Sequence, residues 1–251
     1  MTAETDRALE AMRQNEDSVD ANLIGEMISC DPLMTLKVMA FASRNRSARL
    51  LTDPETVTST LVMMGISPFF RFFGPQPVLD AVLGDRPDAL AGLNEVLRRA
   101  NRAANFALSF AVHRADPDAS VIHQAALLHD FAELLLWCHA PDLALSIRES
   151  LRLDASLRSK DVQQRVLHVE LTDLHHALMQ DWRLPELLVR ITDDKQSQHP
   201  NAQCVILGVG LARHTALGWD NAAVPDDVTD IAHLLNLSPV ATLRFLRSLD
   251  G

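Results

Sequence analysis

AALLHDFAELLL, residues 125–136, sets an ionisable pair, His129 and Asp130, inside a run of Ala and Leu. The run otherwise reads as the buried face of a helix, since its apolar residues show no strand-like alternation. A His-Asp pair in apolar surroundings is unfavourable unless it is hydrogen-bonded, ion-paired or bound to a metal. The rest of the chain must therefore supply partners, and the kind of partner separates a piece of scaffold from a reaction centre.

Outward from that run, helical periodicity continues and the helix starts are legible. Asp31-Pro32 precedes LMTLKVMAFAS, Asp53-Pro54-Glu55 precedes TVTSTLVMMG, Pro185 opens ELLVRI, and Ser238-Pro239 opens VATLRFLRSL. Each places a capping side chain or a proline where the first helical turn has N–H groups to spare. Gly65 is the expected stop of the TLVMM helix. Breaks in composition fall at GDRPD (84–88), ADPDAS (115–120) and DDKQSQHPNA (193–202). The pattern predicts an all-α, multi-helix bundle in two packed helical lobes joined near residue 84. On these breaks, 1–84 forms an N-terminal lobe, 85–200 a second lobe, and 201–251 a C-terminal extension packed on the domain.

Charge removes some partners. With 33 acidic and 23 basic residues the formal net charge is −10, which disfavours nucleic acid, because phosphate-backbone affinity begins with Lys and Arg. The same balance disfavours an anionic membrane surface. The N-terminal residues are polar, without the apolar core of a signal peptide. No apolar run reaches the roughly 18 residues of a membrane span, and TLVMMGISPFFRFFG is interrupted by Pro68 and Arg71. Cys30, Cys138 and Cys204 are far apart and odd in number, as expected of buried thiols in a reducing compartment. A soluble, cytoplasmic protein is expected.

Three segments carry a family resemblance. AALLHDFAELLL resembles the signature of the HD superfamily of all-α metal phosphohydrolases and their relatives. Upstream, LIGEMISCDPLMTLKVMAFASRNR (23–46) followed by LLTDPETVTSTLVMMGISPFF (50–70) is similar to the opening of the HDOD (HD-related output domain) family. Downstream, ALMQDWRLPELLVRI (177–191) resembles that family's segment around a Trp-x-Leu-Pro. Together they cover about residues 22–195 in the right order, so the chain is identified as a member of the HDOD family with an HD-like helical fold.

The resemblance also says where metal ligands would stand. Catalytic relatives use the His-Asp pair, a His upstream and a distant Asp. His129 and Asp130 are present, but the upstream position falls near Ala100 or Asn101. His113 and His123 lie nearby without occupying it. A His frequent before the Trp-x-Leu-Pro is Leu171 here, and the His pair after it reads ITDDKQ, which leaves Asp193 or Asp194 as substitute acids. The Gly-Lys that often follows the pair is Ala132-Glu133, so an anionic substrate meets a carboxylate in place of a cation. The resemblance thus implies a non-catalytic relative without metal or cofactor, in which His129 and Asp130 form a structural hydrogen-bond pair at a helix junction. It implies a bacterial signal-transduction module acting on a protein partner, with a small ligand between the lobes left open. The alternative is a metal-dependent phosphohydrolase acting on a nucleotide or cyclic dinucleotide.

Other features carry two readings each. FFRFFGP (69–75) puts Phe69, Phe70, Phe72 and Phe73 around Arg71, either as core or as an apolar interaction patch for a partner. His175-His176 point to different faces of a helix and read as surface or half-buried side chains before ligands. Gly-Val-Gly at 208–210 lacks the strand of a dinucleotide site and permits close helix packing. The tail 227–250 superficially resembles a helix-turn-helix, but its second helix has only Arg244 and Arg247 as basic residues; a helical hairpin packed on the domain is expected.

Overall fold

The computed structural model describes residues 1–45, 54–154, 156–193 and 198–250. Among them the regular elements are helices alone, and the all-α expectation holds. The first half comprises α1 (Ala3–Gln14), α2 (Ala21–Ile28), α3 (Pro32–Arg44), α4 (Val57–Met64), α5 (Ile66–Phe72), α6 (Leu79–Leu83) and the long α7 (Pro87–His113). There follow α8 (Ala119–Leu128), α9 (Phe131–His139), α10 (Pro141–Leu153), α11 (Ser159–Leu167) and α12 (Leu171–Asp181). The chain closes with α13 (Glu186–Ile191), α14 (Pro200–His214), α15 (Val224–Leu235) and α16 (Pro239–Leu249).

Of the four helix starts marked in the sequence, those at Asp31-Pro32, Pro185 and Ser238-Pro239 open α3, α13 and α16. The Asp31 carboxylate accepts from the N–H groups of Leu33 and Met34, both at 3.0 Å, with Pro32 in the first turn of α3. Ser238 Oγ accepts from Ala241 N at 3.3 Å ahead of Pro239. For α4 the cap differs. Thr56 and Ser59 satisfy each other's backbone N–H groups in a capping box, at 3.2 and 3.0 Å, and Asp53 lies outside the described residues. The reciprocal pair secures two donors where Asp53 would secure one. Gly65 stops α4, its N–H reaching Leu61 O at 2.8 Å, and its φ of 85° turns the chain directly into α5.

The described residues fall into two compact units, both discontinuous in sequence: 1–97 with 130–184, and 98–129 with 185–251. The expected segments at 1–84, 85–200 and 201–251 were contiguous; here α7 gives its first part to the first unit and the remainder to the second. Within the first unit α2 meets α4 at Gly25, where a Cβ would collide with the Thr58 hydroxyl. Its α7 segment packs Leu93 and Val96 with Leu134 and Trp137, and Gly92 leaves room for the Trp137 indole. Phe69, Phe70 and Phe73 are buried here and Phe72 is 56% exposed, so the phenylalanine cluster is mainly core and does not form a patch of four. The helical spacing sends Phe69 and Phe73 inward together and Phe72 outward.

The second unit is built around α8, buried along nearly its whole length from Val121 to Leu128. There α14 approaches α7 at Gly208, whose added Cβ would lie 2.9 Å from Ala103 O and 3.0 Å from Ala107 N. The close-packing reading of Gly-Val-Gly therefore holds for Gly208, while Gly210 has open space. Arg102 joins the end of the chain to this unit, bonding both Asp250 carboxylate oxygens at 2.8 Å and Thr215 Oγ1 at 2.8 Å. The tail forms the expected hairpin of α15 and α16, turned at Asn236 with φ 53°. No helix of the described residues is long and apolar enough to cross a membrane.

Candidate functional site

The Ala-Leu run of 125–136 is two helices, and the His-Asp pair is the break between them. His129 ends α8 with its N–H 3.3 Å from Ala126 O, and the Asp130 carbonyl accepts from Glu133 N and Leu134 N at 3.0 and 3.2 Å to start α9. Both residues are half-buried. The chain passes from one compact unit to the other between them. Glu133 lies in the first turn of α9, where a carboxylate complements the exposed N–H groups of the helix start.

Beyond the break an aromatic cluster follows in the first unit. Phe131 is fully buried, its ring centroid 4.4 Å from that of His175 and 5.8 Å from the nearly parallel indole of Trp182. The His176 ring stands perpendicular to His175 at 5.5 Å. His175 is buried rather than at the surface, and only His176 is half-buried as expected. The signal was available in the spacing: His175, Met179 and Trp182 are separated by four and seven residues, which is one face of α12.

The remaining ligand candidates are dispersed. His113 Nε2 lies 3.2 Å from Leu235 O, with its ring 5.9 Å from that of Phe245 on the terminal hairpin. His123 stands on α8, and burial holds its imidazole pKa below the ordinary value. Asp193 follows the end of α13, and Asp194 lies outside the described residues. Of Ala100 and Asn101, near which the resemblance puts the upstream ligand, Ala100 is buried and Asn101 half-buried. Among the described residues no three His, Cys, Asp or Glu side chains converge to hold a metal ion. The donors among the described residues do not fit the metal that the HD signature implies. Burial pushes the thiol pKa of Cys204 up to about 11 and also raises those of Cys138 and Cys30. Cys30 is exposed and Cys138 half-buried, so the expectation of buried thiols holds for Cys204 alone.

A concavity of about 660 Å³ lies within the first unit. One face of α3, the segment from Phe72 to Val82 and the C-terminal half of α9 wall it, and Trp182 completes it. Trp182 thereby joins the cavity to Phe131, the residue directly after the His-Asp pair.

The model of the HDOD domain matches residues 4–198, which contain the pair, the aromatic cluster and all of the cavity lining but Met1. The chain belongs to the HDOD family. This HDOD protein is similar in fold to the MmoQ response regulator of Methylococcus capsulatus, at a TM-score of 0.68 and 19% identity, covering 93% of this chain and 96% of that one. An HDOD domain protein of unknown function from Geobacter sulfurreducens is similar at a TM-score of 0.51 and 13% identity, covering 99% and 88%. No curated protein matches the sequence. At such identities the likeness speaks for the fold.

Proposed function

We propose that this HDOD protein is a non-enzymatic, cytoplasmic regulatory module of a bacterial signalling pathway, working by contact with a protein partner. The observation that carries the reading is the donor set at the His-Asp break. The pair stands between two helices; by the family resemblance the upstream ligand would fall near Ala100 or Asn101, neither a His, and Glu133 stands where a cation that could hold a phosphate often follows the pair. Membership of the HDOD family and the fold shared with a response regulator support a signalling role.

The test is metal content and hydrolysis measured together. After equilibration with manganese, iron or zinc and removal of the excess, the protein is expected to retain no stoichiometric metal and to hydrolyse neither nucleotides nor cyclic dinucleotides. His129→Ala is expected to lower stability by about 1–3 kcal/mol through lost polar contacts at a part-buried site, with no metal-dependent change in Tm. Stoichiometric metal and hydrolysis, both abolished in a folded His129→Ala variant, would overturn the reading in favour of a phosphohydrolase.

A further inference from the structure

We infer that the cavity of the first unit is a binding site for an amphipathic anion, a molecule with an apolar chain or ring and one anionic head. The cavity holds about 660 Å³, inside the range of roughly 300–1,000 Å³ typical of small-molecule sites. It is carried by one stripe of α3, in which Leu33, Lys37, Ala40 and Arg44 recur at helical spacing. Two turns separate the two cations, about 10 Å along the axis, with Ala40 as a small floor between them.

The walls and the rim differ in character. Phe41, Phe73, Leu135 and Trp182 supply apolar and aromatic surface, as the body of a ligand requires. Among the described residues that line the cavity, the groups able to carry a side-chain charge are Lys37, Arg44, Cys138 and His139, and none is an Asp or a Glu. In a chain with 33 acidic against 23 basic residues, a cavity with cations and no carboxylate selects for negative charge. The Lys37 ammonium donates to Gln76 Oε1, which holds it at the rim. Asp31, the buried acid at the start of α3, is turned onto the N–H groups of Thr2, Leu33 and Met34. An anionic head beside low-dielectric walls meets Lys37 or Arg44 with less screening than in open water.

This inference goes beyond the signalling reading and does not depend on the His-Asp pair. Four probes share a decyl tail and differ in the head: undecanoate, decyl phosphate, decanol and decyltrimethylammonium, each titrated calorimetrically into the full chain below its micellar concentration or, for the alcohol, its solubility limit. Both anions are expected to bind, with the alcohol weaker by about tenfold or more and the cation weaker still. The order of the two anions tells a carboxylate ligand from a phosphate one. Lys37→Glu combined with Arg44→Glu, both at exposed positions, should invert the preference between anion and cation. Ala40→Trp should weaken every probe by filling the floor. Should Ala40→Trp misfold by circular dichroism, the charge-reversed variant decides alone. Equal affinity for all four heads, no binding of either anion, or anion affinity unchanged by charge reversal would each overturn the inference.

Discussion

The two compact units differ in what packs most closely within each. In the first, large side chains do the work: Phe69, Phe70 and Phe73 lie against one another, with ring centroids 5.2 Å apart for Phe69 with each of the others, and Trp137 fills the space left by Gly92. Bulky groups of this kind leave room where they do not interlock, and the 660 Å³ cavity lies beside Phe73. In the second, Ala100, Ala103, Ala104, Ala107 and Ala111 line α7, and Gly208 lets a second helix come to its backbone. The first unit should therefore be sensitive to the loss of a ring at Phe69, and the second, although it also buries Phe106 and Phe110, to added volume at Gly208.

The largest expected effect is in the first unit. Phe69→Ala deletes a fully buried ring and should reduce stability by about 3–5 kcal/mol, measured by urea denaturation. Phe72→Ala, three residues away and 56% exposed, should stay within about 0.5 kcal/mol. Equal losses at the two positions would break the division of the cluster into core and rim. In the second unit Gly208→Ala adds one methyl group, 2.9 Å from the Ala103 carbonyl. Because backbone rather than a flexible side chain is in the way, about 1–3 kcal/mol should be lost. A neutral Gly208→Ala would show that this unit has slack that the contact distances exclude.

A smaller effect is expected where the second unit is held by charge. Arg102 is mostly buried, and so is Asp250, with side-chain exposures of 26% and 19%. Arg102→Ala removes the pair of bonds to Asp250 and the bond to Thr215, and should lower stability by about 1–2 kcal/mol. The loss should shrink in the Asp250→Asn background, because the carboxylate left behind no longer carries a charge. Additive effects of the two changes would show that the contact contributes nothing to the packing of this unit.

The fold was legible because its signals are local. Asp31, Pro185 and Ser238 mark helix starts through geometry within one turn, and the capping box at Thr56 was missed because an Asp-Pro three residues earlier is the louder form of the same signal. The site was less legible because it depends on distance in space. The Ala-Leu run alone placed His129 and Asp130 on the buried face of one helix; their place at a helix junction, between α8 and α9, was implied only by the family resemblance. Sequence grouped Phe69, Phe70, Phe72 and Phe73, though burial separates Phe72 from the others. The stripe of Leu33, Lys37, Ala40 and Arg44 could have been read from spacing. Its significance came only when α9 and Trp182, about a hundred and more residues later in the chain, were found to close a cavity over it.

In the second unit the imidazole of His123 on α8 has its pKa lowered by burial from an ordinary value of 6.5. Below that value the unfolded chain takes up a proton before the folded chain does, so the unfolded state binds more protons and stability falls with falling pH. The contribution is complete above 6.5 and is lost as pH drops from there toward the lower folded value. His123→Gln keeps a polar side chain that does not titrate. Between about pH 7.5 and pH 5.5, the range in which an imidazole charges, the wild type should lose more Tm than the variant. Parallel curves would mean that His123 is as well solvated in the fold as in the unfolded chain, and that α8 is less tightly enclosed than its neighbours Ile122 and Ala125, both fully buried, require.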